Sequence, residues 1–159
     1  MTKINNILKV REANLSPNQG ERSFILHAWS NGWKRSPFAG IIPNNLFTAV
    51  FDEGIKQLLD RGMTVLVGEA EGSLVGFIAF EEAAVPVLHY VYVKPVLRGL
   101  GFFPSLMEAA GIPEGTSFLY TFRTPDCRQF RNGSHCPAIA RRRNLEPIYA
   151  ESPGKRSKV

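Results

Sequence analysis

The sequence predicts an α/β domain in which a mixed sheet carries helices on its faces. Two segments before residue 62 repeat apolar residues at helical spacing, and short β-branched and aromatic runs follow them. A turn with two glycines, another helix and a further strand come after these runs. The predicted order of elements is therefore β-α-α-β-β-β-α-β-α-β, with no internal repeat.

Length and composition agree with one globular domain. The chain has 159 residues, of which 44% are hydrophobic and 21% are charged, close to the average for soluble domains. We expect the domain to span 1–151 and the polar, basic stretch 152–159 to be a disordered tail. No apolar run approaches the ~20 residues of a membrane span, and the first residues lack the pattern of a secretion signal. Together with only two cysteines, these features predict a cytoplasmic protein without a disulfide.

The first part of the chain predicts one strand and two helices. Residues 7–11 fit the strand. The first helix begins at Ser16-Pro17, a capping serine followed by proline at the first helical position, and we expect Gly32 to interrupt it. The second helix follows Pro43, repeats its apolar residues with a period near 3.6, and ends at Arg61-Gly62.

The remaining strands follow from β-branched and aromatic runs. They are predicted at 64–68, 74–80, 87–93 and 117–122. Glu71-Gly72 joins the first two as a hairpin. The run Val87–Val93 is nearly continuous in apolar residues, as in a strand that is buried on both faces. A helix over 137–143 and a strand over 147–149 complete the prediction.

The most informative segment for chemistry joins the third of these strands to a helix. It reads Arg98-Gly-Leu-Gly101 and leads into a helix that Gly111 ends. The first turn of a helix has unpartnered backbone N–H groups and a partial positive charge, and glycines let a ligand approach that backbone closely. The pattern therefore indicates either a phosphate or pyrophosphate site or a tight turn between strand and helix.

This segment resembles the acyl-CoA-binding motif of the Gcn5-related N-acetyltransferase (GNAT) superfamily, Gln/Arg-x-x-Gly-x-Gly/Ala after a strand that often ends Val-x-Pro. Here Val93-Lys94-Pro95 precedes Val96-Leu-Arg-Gly-Leu-Gly101, and both glycines match. Val96 departs from the motif, because the family has glutamine or arginine there. The resemblance implies the GNAT-like acyl-CoA N-acyltransferase fold, with a largely antiparallel sheet. The chain is also similar to small GNAT-like proteins encoded by bacteriophages.

The resemblance implies acetyl-CoA or another acyl-CoA as co-substrate and an amine as acceptor. The pantetheine arm would bond to backbone groups at the end of the strand, and the pyrophosphate would rest on the amides of the glycine turn. An amine would attack the thioester directly, while a strand amide polarised its carbonyl. The implied cofactor-binding residues are Val91, Tyr92, Val93, Leu97, Arg98, Gly99, Leu100, Gly101 and Phe102.

Catalysis needs a base for the amine proton. Many family members carry a glutamate four residues before the valine of Val-x-Pro, and His89 occupies that position here. Histidine can act as a base near neutral pH. Strand alternation places His89 on one face with Val91 and Val93. His89 is either this base, directly or through a water molecule, or a hydrogen-bonded core residue, and Glu81 or Glu82 is the alternative base.

The leaving thiolate needs a proton donor, which in the family is a tyrosine near the end of the domain. Alignment places Ala140 at that position. Tyr120, Tyr149, Cys127 or water would then replace the tyrosine. Another reading is a degenerate fold that binds a protein or CoA without turnover.

The acceptor site is expected between the first two helices, as in the family. Its candidate residues are Trp33, Lys34, Arg35 and Ser36. An aromatic and basic segment suits a planar or anionic acceptor, including a nucleobase. The alternative is that Trp29 belongs to the core and the two basic residues are solvated.

Positive charge is concentrated in the last quarter of the chain. Residues 123–159 contain nine basic and three acidic side chains, which suits an anionic partner or a solvated surface. DNA binding or modification is therefore an alternative function, beside small-molecule or protein amine acceptors and a homodimer. Cys127, His135 and Cys136 lack the paired spacing of a zinc site, so no metal is predicted.

Overall fold

A sheet of six strands organises the part of the chain that the computed structural model describes, namely residues 7–16, 20–34, 44–60, 62–121 and 130–135. Its strands are Lys9–Glu12 (β1), Thr64–Ala70 (β2), Ser73–Glu81 (β3), Val87–Val93 (β4), Phe118–Tyr120 (β5) and Gly133–His135 (β6). They lie in chain order. The first four are antiparallel, whereas β5 is parallel to β4 and β6 to β5. The sheet is therefore mixed and largely antiparallel, as predicted.

Helices cover both faces of this sheet. They are Gly20–Lys34 (α1), Asn44–Asp60 (α2) and Phe102–Ala109 (α3). Apolar residues of α1 and α2 form one buried cluster with β2, β3 and β4, and those of α3 form a second cluster with the opposite face. Within the described residues, none of the helices has both the length and the apolar character that crossing a bilayer requires.

The predicted order of elements is confirmed from β1 through β5. Strand β4 has the predicted bounds, and β6 was not predicted because Gly-Ser-His has neither β-branched residues nor alternation. The predicted helix over 137–143, the strand over 147–149 and the tail 152–159 lie outside the described residues.

Local turn chemistry fixes two of the connections. Gly62 has a φ of 98° after α2, and its amide donates to Leu59 O at 3.1 Å while that of Met63 donates to Leu58 O at 3.1 Å, which is how a glycine ends a helix. Glu71 and Gly72 have φ values of 53° and 76°, and a two-residue hairpin turn with positive φ at both positions matches the strand twist.

The prediction that Gly32 interrupts α1 is wrong, since α1 continues to Lys34. Gly32 is buried, and a Cβ atom there would lie 1.7 Å from Oη of Tyr90 and 2.6 Å from its Cζ. The Tyr90 ring stacks on Trp29, with ring centroids 5.4 Å apart and an interplanar angle of 11°. Glycine therefore permits a close approach of α1 to β4 and does not break the helix.

Gly32→Ala is expected to destabilise the protein by about 1–3 kcal/mol, because the methyl group overpacks a core that holds Tyr90 in place. Denaturant unfolding measures the change. Gly54→Ala is the matched control: Gly54 is an exposed residue of α2 with nothing within 4 Å of an added Cβ, so alanine there should stabilise by roughly 0.5–1 kcal/mol. Equal effects at the two glycines would contradict the close contact.

An ion-pair cluster joins β1, α1 and β2. Arg11 bonds Glu21, with Nη1 3.2 Å from Oε2, and its Nη2 lies 2.6 Å from Oε1 of Glu69. Glu21 also accepts the amide of Asn14 at 2.7 Å. Hydrogen bonding to Arg11 lowers the pKa of both carboxyl groups below their ordinary values, because it favours their charged forms.

These lowered pKa values predict a pH dependence of stability. A carboxyl group whose pKa is lower in the folded than in the unfolded state stabilises the fold above its unfolded pKa, near 4.3 for glutamate. The stabilisation is lost as pH falls through the folded pKa. The free energy of unfolding should therefore decline below about pH 4.5, and Arg11→Met should make this decline shallower. A variant with the wild-type slope would show that the cluster does not couple to folding.

Candidate active site

A cleft opens where β4 and β5 separate. In the described residues the two strands pair at Val87–Leu119 and Leu88–Tyr120, and the amide of Thr121 donates to Leu88 O at 3.1 Å. Strand β4 then continues to Val93, and within the described ranges no strand pairs with its later residues on this side. We call this side of β4 its open edge. The cleft has a volume of about 390 Å³, and residues of β4, the glycine turn, the start of α3, Tyr120 and Phe130 line it.

A β-bulge lies on β4 at the inner end of the cleft. Ala79 pairs with Tyr90 and Phe80 with Leu88, so His89 is the extra residue. The predicted placement of Val91 and Val93 opposite Tyr90 and Tyr92 is confirmed by the two core clusters. The bulge breaks the alternation before Tyr90, so Leu88 and Val91, three residues apart, pack into the same cluster. Bulges redirect side chains and strand edges near functional sites.

The His89 ring joins a buried polar network. Its Nε2 lies 2.9 Å from Oε2 of Glu81, and its Nδ1 lies 2.8 Å from Oγ1 of Thr121. Their exposed fractions are only 1%, 8% and 4% for His89, Glu81 and Thr121. Because a buried polar group without a partner is costly, these bonds explain how the core accommodates all three side chains.

The network accommodates either protonation state of the imidazole. A neutral ring protonated at Nε2 donates a hydrogen bond to Glu81, and its Nδ1 accepts a hydrogen bond from the Thr121 hydroxyl. If Nδ1 takes a proton, the hydroxyl can rotate and accept, while the carboxylate stabilises the charged ring. His89 is thus a hydrogen-bonded core residue that also lines the cleft. Glu82, the other predicted alternative, is exposed.

The bulge determines which backbone groups face the cleft. A Cβ on Gly76 would lie 2.1 Å from Tyr92 O, so this carbonyl faces β3. The amide of Lys94 also bonds towards β3, at Val75 O. Since bonding directions alternate along a strand, the backbone groups of Val91 and Val93 face the open edge. The backbone groups of Val91 and Val93, which were predicted to bind the cofactor, therefore face the cleft, whereas the carbonyl of Tyr92 faces β3.

The glycine turn follows this edge. A 3₁₀ turn spans Pro95–Leu97, and the amides of Leu97 and Arg98 donate inside it, to Lys94 O at 2.9 Å and Pro95 O at 3.3 Å. These two amides are therefore engaged within the turn. Gly99 and Gly101 have φ values of 81° and 90°, a conformation that favours glycine.

The helix that follows presents its N-terminus to the cleft. The first main-chain hydrogen bond of this helix runs from the amide of Ser105 to Gly101 O, over 3.4 Å. The amides of Phe102 and Phe103 belong to the first turn, where amides have no carbonyl partner within the helix. The next residue, Pro104, has no N–H. Together with the turn from Gly99 to Gly101, these amides form a cradle suited to an anion.

Aromatic side chains close the other wall of the cleft. Phe130 stacks on Phe103, with centroids 6.1 Å apart, and lies edge-on to Tyr120 at 5.2 Å. Tyr120 was predicted at this site, but Phe103, Phe130 and Thr121 were not. Phe103 directly follows the predicted glycine turn, so that motif was the available signal for it. No local signal distinguishes Thr121, which the parallel register of β4 and β5 brings to His89, or Phe130, which precedes β6.

The predicted acceptor residues are only partly described. Lys34 is the exposed last residue of α1, Trp33 precedes it in the helix, and Arg35 and Ser36 lie outside the described residues. Trp29 is fully buried and so belongs to the core.

Other predicted site residues fall beyond the described ranges. They are Cys127, Cys136, Ala140, Tyr149 and all basic residues of 123–159 except Arg131. In the part of the chain that the structure describes, no group of three His, Cys, Asp or Glu side chains is arranged to hold a metal ion.

The fold of this chain was compared with those of known proteins. No family model matches the sequence, and no curated protein matches it. A candidate acetyl transferase from Pyrococcus furiosus is 15% identical, with a TM-score of 0.55 over 77% of this chain and 89% of its own.

Two further solved structures have lower TM-scores. A candidate GNAT-family acetyltransferase from Staphylococcus aureus is 23% identical over 63% of this chain and 85% of its own, with a TM-score of 0.45. An N-acetyltransferase from Thermoplasma acidophilum, solved with coenzyme A, is 19% identical over 65% of this chain and 69% of its own, with a TM-score of 0.48. The sheet order and helix placement, with the Pyrococcus match, confirm the predicted architecture: the chain has the GNAT acyl-CoA N-acyltransferase fold.

Proposed function

We propose that this protein is an acyl-CoA-dependent N-acyltransferase that transfers an acyl group, acetyl or another, to an amine. The observation that carries the proposal is the continuity of the cleft. The open edge of β4 leads directly from the buried His89 network to the N-terminus of α3. Between them lie Gly99 and Gly101, both in the left-handed backbone conformation. Backbone acceptors and donors, an anion cradle and a titratable group therefore lie along one groove.

The residues present fit such a donor. Backbone groups of Val91 and Val93 suit the amides of a pantetheine arm, because they lie on the open edge. The cradle from Gly99 to Phe103 suits a pyrophosphate. When bound, an acyl-CoA supplies the acyl group activated as a thioester.

Side chains of the protein would accept and donate the protons that the reaction transfers. His89 would accept the proton of the attacking amine at Nδ1, directly or through a water molecule, when the Thr121 hydroxyl turns its proton away from that nitrogen. Glu81 would stabilise the imidazolium that results. Tyr120, whose ring lines the cleft, is the candidate donor to the leaving thiolate. A backbone amide on the open edge polarises the thioester carbonyl.

The acceptor is a small-molecule or protein amine in this proposal. DNA modification or binding is the second candidate, favoured by the excess positive charge of residues 123–159. A non-catalytic GNAT-fold module that binds CoA or a protein is the third, favoured by Val96 and Ala140 at motif positions.

Calorimetric titration with acetyl-CoA tests the proposal, with free CoA and a plasmid DNA fragment as parallel titrants. We expect acetyl-CoA to bind with a micromolar Kd, which would justify a screen of amine acceptors. Salt-sensitive DNA binding without CoA binding would favour the nucleic-acid function instead. CoA binding without turnover of any amine would favour the non-catalytic module.

A further inference from the structure

The side chain of Arg98 occupies the ligand edge of the cleft. Its Nε donates to Val93 O at 2.9 Å. Its guanidinium carbon lies over the ring of Tyr92, 5.9 Å from the centroid. We call this pair of contacts the Arg98 latch. The residue is otherwise exposed, so the rest of the guanidinium is accessible to a ligand.

The latch occupies Val93 O, a hydrogen-bond acceptor to which the pantetheine arm of an acyl-CoA would bind. Val93 O belongs to the open edge of β4, where an amide N–H of a pantetheine arm would bond. A carbonyl that already accepts a charge-assisted hydrogen bond is a poorer acceptor for a neutral amide, since the charged bond is stronger. A ligand with only a pantetheine arm must therefore break the latch without compensation.

A pyrophosphate-bearing ligand provides the compensation. Arg98 immediately precedes Gly99 and the anion cradle, and a guanidinium binds phosphate oxygens in a planar, two-pronged geometry. Rotation of the side chain towards a bound pyrophosphate would exchange one charged contact for another and release Val93 O.

We propose that Arg98 makes the site selective for pyrophosphate-bearing acyl donors, by blocking Val93 O until an anion on the glycine turn draws the guanidinium away. The inference rests on the proposed function. It predicts that anion binding and pantetheine binding favour each other, and such coupling must be reciprocal.

Binding of acetyl-CoA and S-acetylpantetheine to wild type and Arg98→Ala tests the latch. Arg98→Ala should weaken acetyl-CoA binding about tenfold, through loss of a charged contact, and strengthen S-acetylpantetheine binding roughly three- to tenfold. Arg98→Lys keeps the charge but lacks the planar Nε donor, so it should also strengthen S-acetylpantetheine binding while weakening acetyl-CoA binding less.

Inorganic pyrophosphate added separately gives a second readout. It should raise the affinity of wild type for S-acetylpantetheine severalfold and leave that of Arg98→Ala unchanged. Lys94→Met is the matched control: it removes a neighbouring charge, which lies over Phe24 at 5.6 Å, and should not change S-acetylpantetheine binding.

The outcomes separate the latch from the proposed function. If Arg98→Ala weakens both ligands, or leaves S-acetylpantetheine binding unchanged, the latch is wrong while acyl-CoA binding by wild type still supports the function. If wild type binds neither ligand, the function and the latch both fail. If Lys94→Met strengthened S-acetylpantetheine binding as much as Arg98→Ala does, the effect would come from the loss of any nearby positive charge. That result would overturn the latch.

Discussion

Gly99→Asp is expected to lower acyl-CoA affinity at least about a hundredfold. The substitution puts a negative charge on the turn that would hold the pyrophosphate, and like charges brought together cost several kcal/mol. Gly99 has open space around an added Cβ, so the fold should remain intact, although its φ of 81° strains any side chain. Calorimetry with acetyl-CoA measures the loss, and thermal unfolding checks the fold.

Gly111→Asp controls for the charge and the strain together. Gly111 follows α3, is exposed, has a φ of 76° and has nothing within 4 Å of an added Cβ, so it matches Gly99 except that it does not line the cleft. Its variant should bind acetyl-CoA like wild type. Acetyl-CoA binding that survives in Gly99→Asp would remove the glycine turn from the proposed site.

His89→Ala is expected to reduce turnover by about 10²–10⁴, because it removes the proposed base. Acyl-CoA affinity should change far less, since the cradle and the open edge of β4 stay in place. The same variant removes the imidazole partner of the buried Glu81 side chain, and the loss of a partner by a buried polar group costs about 1–3 kcal/mol. CoA release in the presence of an accepted amine measures turnover, and denaturant unfolding measures stability.

Two variants separate catalysis from stability in this network. Thr121→Val is nearly isosteric and removes the hydrogen bond to Nδ1, so it should cost about 1–3 kcal/mol of stability but keep the Glu81–His89 pair. Glu81→Gln can still accept from Nε2 but removes the charge that stabilises an imidazolium, so turnover should fall with little loss of stability. Wild-type turnover in both His89→Ala and Glu81→Gln would show that the network is purely structural.

Much of the fold follows from local pattern. The run Val87–Val93 predicts a buried strand because β-branched and aromatic residues suit a pleated, covered surface. Glu71-Gly72 and Gly62 mark turns because their positive φ angles are required there. Gly32 shows the limit of this reasoning. Its helix propensity indicates a break, whereas packing against Tyr90 requires the missing side chain.

The candidate site divides in the same way. The glycine turn could be predicted because its residues are adjacent in sequence and their backbone chemistry is local. The network of His89, Glu81 and Thr121 could not be predicted as a unit, since its members come from the bulge of β4, the last residue of β3 and the residue after β5. Thr121 in particular reaches His89 only through the register in which Leu88 pairs with Tyr120.

The sequence alone determined the order of elements from β1 through β5, the bounds of β4 and the position of the glycine turn before α3, because each depends on residues within a few positions of one another. Tertiary structure decided the bulge at His89, and with it that Val91 and Val93 face the cleft. It also decided that Arg98 bonds Val93 O and that aromatic rings close the opposite wall. These features depend on strand register and side-chain packing between distant segments, which local propensity does not specify.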